Sequence, residues 1–80
     1  MKVEVRLFAT LATYLSPEAR AAGSTVVDVP AGSTVADLTT FLGIPGPFPR
    51  MTLVNGNEAG DSSRLTAGDV VTVFPPLSGG

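Results

Sequence analysis

The chain has 80 residues, 44% of them apolar and 15% charged, with a formal net charge of −2; this length supports one hydrophobic core and excludes a second domain facing it across a cleft. Cys and His are both absent, which removes disulfides, thiolate nucleophiles, imidazole bases and the usual zinc ligands, so no metal site is expected. Lys2, Arg6, Arg20, Arg50 and Arg64 are scattered, which leaves no basic stripe for nucleic acid, and no apolar run approaches the ~18 residues of a membrane span, so the expected setting is cytoplasmic.

Lys2 to Phe8 alternate, with Val3, Val5 and Leu7 on one face and Lys2, Glu4, Arg6 and Phe8 on the other, the period of a half-buried strand. Thr10 to Leu15 suits a short helix that uses Leu11 and Leu15 before Pro17 disfavours helical backbone at Ser16. Tyr14 is read as a helix residue with its hydroxyl in water. Thr25 to Val29 reads as a second strand, with Val27 and Val29 inward, and Pro30-Ala31-Gly32 turns the chain.

Thr34 is a fitting N-cap for a main helix, and Asp37 three residues on nearly completes a capping box, although Asp is shorter than the preferred Glu. Val35, Leu38 and Leu42, with Phe41 beside them, form its expected buried stripe. Gly43 stops the helix, and Pro45, Pro47 and Pro49 make Ile44 to Arg50 an extended loop. Met51 to Val54 is a strand, Asn55-Gly56 a tight turn and Asn57 to Ala59 the return. Leu65 is expected to plug the core, Gly68-Asp69 to turn, and Val70 to Phe74 to form the last strand, with Val71 and Val73 on one face and Phe74 on the other.

Pro75-Pro76 ends the sheet, and Leu77-Ser78-Gly79-Gly80 follows as a tail. Four residues reach at most ~14 Å, far enough to enter a partner's pocket. Gly79 and Gly80 lack a Cβ and can thread a channel too narrow for side chains. This order of elements suits an α+β arrangement, a mixed sheet with one main helix on one face.

Val5-Arg6-Leu7-Phe8-Ala9, Thr34-Val35-Ala36-Asp37-Leu38, Val54-Asn55-Gly56, Gly68-Asp69 and Phe74-Pro75-Pro76 to Gly79-Gly80 resemble the ubiquitin-like sulfur-carrier family of the molybdopterin-synthase small subunit and the thiamine sulfur carrier. The resemblance covers the whole chain, and its Phe-Pro-Pro ending is similar to the molybdopterin branch. It implies a ubiquitin-like β-grasp fold with four to five strands and a short extra helix, residues 1–76 forming the domain and 77–80 a flexible tail. It further implies a carrier that is not itself an enzyme. A ubiquitin-activating-type adenylyltransferase would use ATP to adenylate the Gly80 carboxylate. A sulfur donor such as a desulfurase or rhodanese would convert it to a thiocarboxylate, and a large synthase subunit would receive the Leu77-Ser78-Gly79-Gly80 tail. No cofactor is expected to reside in the domain.

Phe8 and Phe74 lie opposite their strands' core residues. If the first and last strands are neighbours, they form an exposed apolar docking patch with Pro75 and Pro76 at the root of the tail; the alternative is that a loop or the short helix covers them. Glu58 stands where the family often carries an apolar docking residue, so partner specificity departs from the molybdopterin pattern. Arg50, Arg64 and Asp61 are read as solvated charges and Asp69 as a turn residue. A catalytic pairing of Asp28 with Asp37 has nothing to bring it together. Alternatives in function are a modifier joined through Gly80 to lysines, or sulfur supply for thiamine, tRNA or amino-acid synthesis.

Overall fold

The computed structural model describes residues 1–46 and 49–76; Pro47, expected in the extended loop, and the tail residues 77–80 lie outside them. Five strands and three helices follow in the order β1 (Lys2–Leu7), a 3-10 helix (Ala9–Tyr14), α1 (Pro17–Ala22), β2 (Thr25–Asp28), α2 (Val35–Leu42), β3 (Met51–Val54), β4 (Asn57–Glu58) and β5 (Val70–Phe74). The sheet order is β2-β1-β5-β3-β4. β5 is the central strand, parallel to β1 and antiparallel to β3. This mixed five-strand sheet with its main helix on one face is the ubiquitin-like β-grasp fold.

Alternation dictates which side of the sheet is buried. Val3, Val5 and Leu7 of β1 and Val71 and Val73 of β5 face inward and are buried. Leu11 and Leu15 from the first helical segment, Val35 and Leu38 from α2, and Val29, Ile44 and Leu65 from the connections close over them. Leu65 is drawn in by its N–H, which donates to Ser33 O at 2.8 Å, so the loop residue plugs the core as expected.

The capping box on α2 is complete: Thr34 Oγ1 accepts from Asp37 N–H, and Asp37 Oδ2 accepts from Thr34 N–H. At the other end Gly43 adopts φ 85°, a left-handed cap that a Cβ disfavours.

Three expectations need correction. Phe41 is 60% exposed and no part of the stripe. At 100° per residue, Val35, Leu38, Thr39 and Leu42 span a buried sector of about 100°, and Phe41 falls about 60° beyond its edge. Thr39 takes the place, 2% exposed, with its hydroxyl donating to Ala36 O. Second, the helix before Pro17 is a 3-10 helix, and Pro17 opens a further helix, α1. Ser16 is extended, as its position before proline requires, and its hydroxyl caps Ala19 N–H. Third, Arg50 is not a solvated charge. Its side chain is 7% exposed, paired with Asp61 at 3.2 Å, and it also donates to Gly46 O and Thr39 Oγ1.

Candidate functional site

The site expected from the sequence is the end of β5 and the tail beyond it. The tail residues Leu77, Ser78, Gly79 and Gly80 lie outside the described part of the chain, so the geometry concerns the platform from which they leave. Phe74 ends β5, Pro75 is half-buried and Pro76 is exposed. Neither proline can donate a backbone hydrogen bond, which terminates the ladder there.

Because β1 and β5 run parallel in the register Leu7 with Val73, Phe8 comes level with Phe74 one residue on. The Phe8 N–H donates to Val73 O at 3.1 Å and keeps the ladder going to this point. Both rings stand on the face opposite the core. On the other side of β5, Met51 is the Cα partner of Phe74. A row of Phe8, Phe74 and Met51 therefore crosses three strands at the edge where Pro75 leaves the sheet. Phe8 is 49% exposed, while Phe74 and Met51 are half-buried.

The face changes character away from that row. The next one is Arg6, Thr72, Leu53 and Glu58, and the next is Val26, Glu4 and Val70. Arg6 and Glu4 are joined by a 2.7 Å ion pair along β1. Glu58 is exposed and opposite Leu53, so it sits at the rim of the apolar region and sets a negative charge beside it.

Met51 and Leu53 were not assigned to this surface from the sequence. In Met51-Thr52-Leu53-Val54 each face carries an apolar residue, so alternation does not choose between them. The register does: Thr52 faces Val73 and is 6% exposed, which turns Met51 and Leu53 outward.

The backbone bends sharply after Phe8. Ala9 has φ 55°, a conformation that costs a residue with a Cβ about 1 kcal/mol or more. This bend carries the 3-10 helix under the inner face, and Leu11 N–H donates back to Phe8 O at 3.1 Å. Phe8 is thus left uncovered at the corner.

Three further carboxylates hold structure. Asp69 accepts from Thr66 N–H and from the Asn55 side chain. Asp28 pairs with the Met1 amino group at 3.1 Å while Asp37 caps α2, so each of these two carboxylates is engaged by a structural partner of its own. A shallow cavity of about 480 Å³ lies between the segment Val29 to Ser33 and Asp37, Thr40 and Phe41 of α2. It is bounded by the segment that follows β2, whose antiparallel pairing with β1 sets Asp28 beside Lys2, at the end of the sheet opposite Phe8 and Phe74. Among the described residues no helix is long and apolar enough to cross a membrane.

Solved structures share this architecture over nearly the full chain. The small archaeal modifier protein 1 (SAMP1) of Haloferax volcanii is 29% identical, with all of both chains covered and a TM-score of 0.73. A protein provisionally assigned as molybdopterin converting factor subunit 1 in Pyrococcus furiosus is 26% identical over 96% of this chain and 99% of that one, with a TM-score of 0.73. A chain from the complex of subunits 1 and 2 of the molybdopterin-converting factor of Helicobacter pylori shares the fold at 20% identity, with complete coverage of both chains and a TM-score of 0.63. No curated protein matches the sequence significantly. The family model described as Mut7-C ubiquitin matches residues 1–78, and the chain therefore belongs to the Mut7-C ubiquitin family.

Proposed function

We propose that this protein is a sulfur carrier whose reactive group is the Gly80 carboxylate and whose docking surface is the Phe8, Phe74 and Met51 row. The observation that supports it is the coincidence of that exposed apolar row with the point where Pro75-Pro76 releases the chain from the sheet. A partner that grips the row receives the following residues at a fixed distance, and aromatic anchors carry much of the energy of such contacts.

A carboxylate at neutral pH is anionic and resonance-stabilised, and resists nucleophiles until one oxygen becomes part of a leaving group. In the proposed reaction a Gly80 oxygen attacks the α-phosphorus of ATP in the adenylyltransferase, and pyrophosphate departs. The terminal sulfur of a persulfide carried by a desulfurase or rhodanese then attacks the acyl carbon, AMP leaves with its oxygen, and two equivalents of a thiol reductant cleave the resulting acyl disulfide, freeing the donor cysteine and leaving as their own disulfide. The product is a terminal thiocarboxylate, a soft nucleophile that the tail presents inside a large synthase subunit. Molybdopterin synthesis in the cytoplasm is the destination that best fits the Phe-Pro-Pro ending. ATP stays with the activating enzyme, and the domain itself serves as co-substrate.

Incubation with a cognate adenylyltransferase, ATP and a sulfur source is expected to replace one oxygen of the intact protein by sulfur, read by mass spectrometry. A chain extended by one residue past Gly80 is expected not to load. Phe8→Asp is expected to raise the KM for loading without altering the folded spectrum. An unchanged mass with a competent enzyme refutes the carrier reading.

The 29% identity to an archaeal modifier favours a second reading, in which the same activated Gly80 is transferred to lysine side chains. Recovery of Gly80 in isopeptide linkage from cells supports this second use, and its absence under inducing conditions counts against it.

A further inference from the structure

The β2 strand is an edge of the sheet, and the phase of its hydrogen bonds follows from its end. Val29 N–H donates to Met1 O at 2.9 Å, and the Met1 amino group donates to Val29 O at 2.7 Å. Bonded pairs alternate along an antiparallel ladder, so with the register Val3 to Val27 and Val5 to Thr25 these are the pairs bonded to β1. The N–H and C=O groups of Val26 and Asp28 then point to the open side. The same phase holds on β1, where Glu4 and Phe8 donate the other way, to Asp69 O and Val73 O. No loop or side chain among the described residues bonds to the Val26 or Asp28 backbone.

Open edges are usually blunted by shortness, charged side chains, proline or a bulge; Thr25-Val26-Val27-Asp28 is short and charged at Asp28 but has no lysine, proline or bulge. Its Val26 side chain is 60% exposed on the uncovered face. We propose that β2 pairs with β2 of a second copy of this chain, antiparallel about a two-fold axis through Val26, so that the two five-stranded sheets become continuous.

The register is chosen by what the edge offers. With the axis at Val26, the two Val26 residues form a bonded pair, and Ser24 of each copy lies opposite Asp28 of the other. A shift that sets Val26 opposite Asp28 brings Ser24 against Pro30, which has no N–H to give. Charge agrees with the first arrangement. Asp28, with a side chain 69% exposed, has Lys2 on its own β1 as neighbour. The register continued one step past Val5 and Thr25 sets Arg6, paired with Glu4, beside Ser24, so across the seam each Asp28 meets the neutral Ser24 directly and no like charge. The Glu4 residues, like in charge, are about three strand spacings or ~14 Å apart across the Val26 pair, beyond the Debye length at physiological salt.

Two short strands and one valine pair bury far less than the ~1,200 Å² of stable complexes, so the dissociation constant should be on the order of 0.1–1 mM. Sedimentation equilibrium and amide NMR between ~20 µM and ~2 mM span that range. The expected result is a concentration-dependent dimer, with shifts centred on Ser24, Val26 and Asp28. Val26→Lys should weaken it at least about tenfold while its dispersed spectrum verifies the fold, because an edge lysine opposes its symmetry mate. Glu58→Lys, on the far edge, should leave it intact. A chain that stays monomeric at the top of the range, a dimer indifferent to Val26→Lys, or shifts centred on Phe8 and Phe74 overturns the proposal.

Discussion

Asn55 tests whether the turn between β3 and β4 also secures the start of β5. It has φ 53°, and its side chain bridges two segments. Nδ2 donates to Asp69 Oδ1 at 2.9 Å, and Oδ1 accepts from Val70 N–H at 2.9 Å. Its own N–H donates to Val70 O at 2.8 Å. Asn55→Gly keeps the left-handed backbone and loses both side-chain bonds. At an exposed site water replaces much of each, leaving a cost of about 0.5 kcal/mol per bond and about 1 kcal/mol in all. Asn55→Ala loses the same bonds and adds about 1 kcal/mol for a Cβ in that conformation, about 2 kcal/mol together. For a domain of this size 1 kcal/mol moves the melting temperature by roughly 4–8 °C. Urea denaturation of the two variants beside the parent measures both terms, provided the m-value is constant. A glycine variant as damaged as the alanine variant refutes the conformational term, and an undamaged glycine variant refutes the bridge to β5.

Thr34→Ala removes the acceptor for Asp37 N–H and should lower stability by about 1 kcal/mol in urea denaturation, with Thr34→Ser close to the parent. Phe41→Ser, at a 60% exposed helix position, should change stability by no more than about 0.5 kcal/mol, in contrast to the several kcal/mol of a buried Phe. Ala9→Gly relieves the φ 55° backbone at the cost of unfolded-state freedom, and should be neutral to about 1 kcal/mol more stable by thermal melting.

Strands with one clear apolar face were readable in the sequence. Val3, Val5 and Leu7, and likewise Val71 and Val73, set the buried side of β1 and β5 by period alone, and so placed Phe8 and Phe74 on the other. Local chemistry served where one short motif decides the backbone, as at Thr34 with Asp37, Gly43, and Asn55-Gly56. The corrections have different causes. Hydrophobicity alone points Phe41 inward, whereas the helix phase, which follows from Val35 and Leu38, turns it to solvent and brings in Thr39. The burial of Arg50 is not legible in the sequence because two of its partners, Thr39 and Asp61, come from segments that only the fold brings together. For α1 the signal was present: Ser16-Pro17-Glu18 is a cap, a first-turn proline and an acidic residue at the positive helix end. Pro17 ends the 3-10 segment before it and opens α1.

The same distinction separates the chemistry proposed for Gly80 from the recognition that precedes it. The tail is one contiguous segment, so its maximum reach and the absence of a Cβ at Gly79 and Gly80 follow from its residues in any folded context. The platform is assembled from Phe8, Met51 and Phe74, three residues scattered along the sequence that meet only because β5 lies between β1 and β3. A change that displaces β3, such as loss of the Asn55 bridge, should therefore loosen docking while the carboxylate remains competent, raising KM with kcat preserved. An alteration at Gly79 or Gly80 should do the reverse, lowering kcat while the domain still competes for the activating enzyme. Variants of both kinds in one loading assay divide the proposed surface from the proposed reactive group, because neither effect can imitate the other.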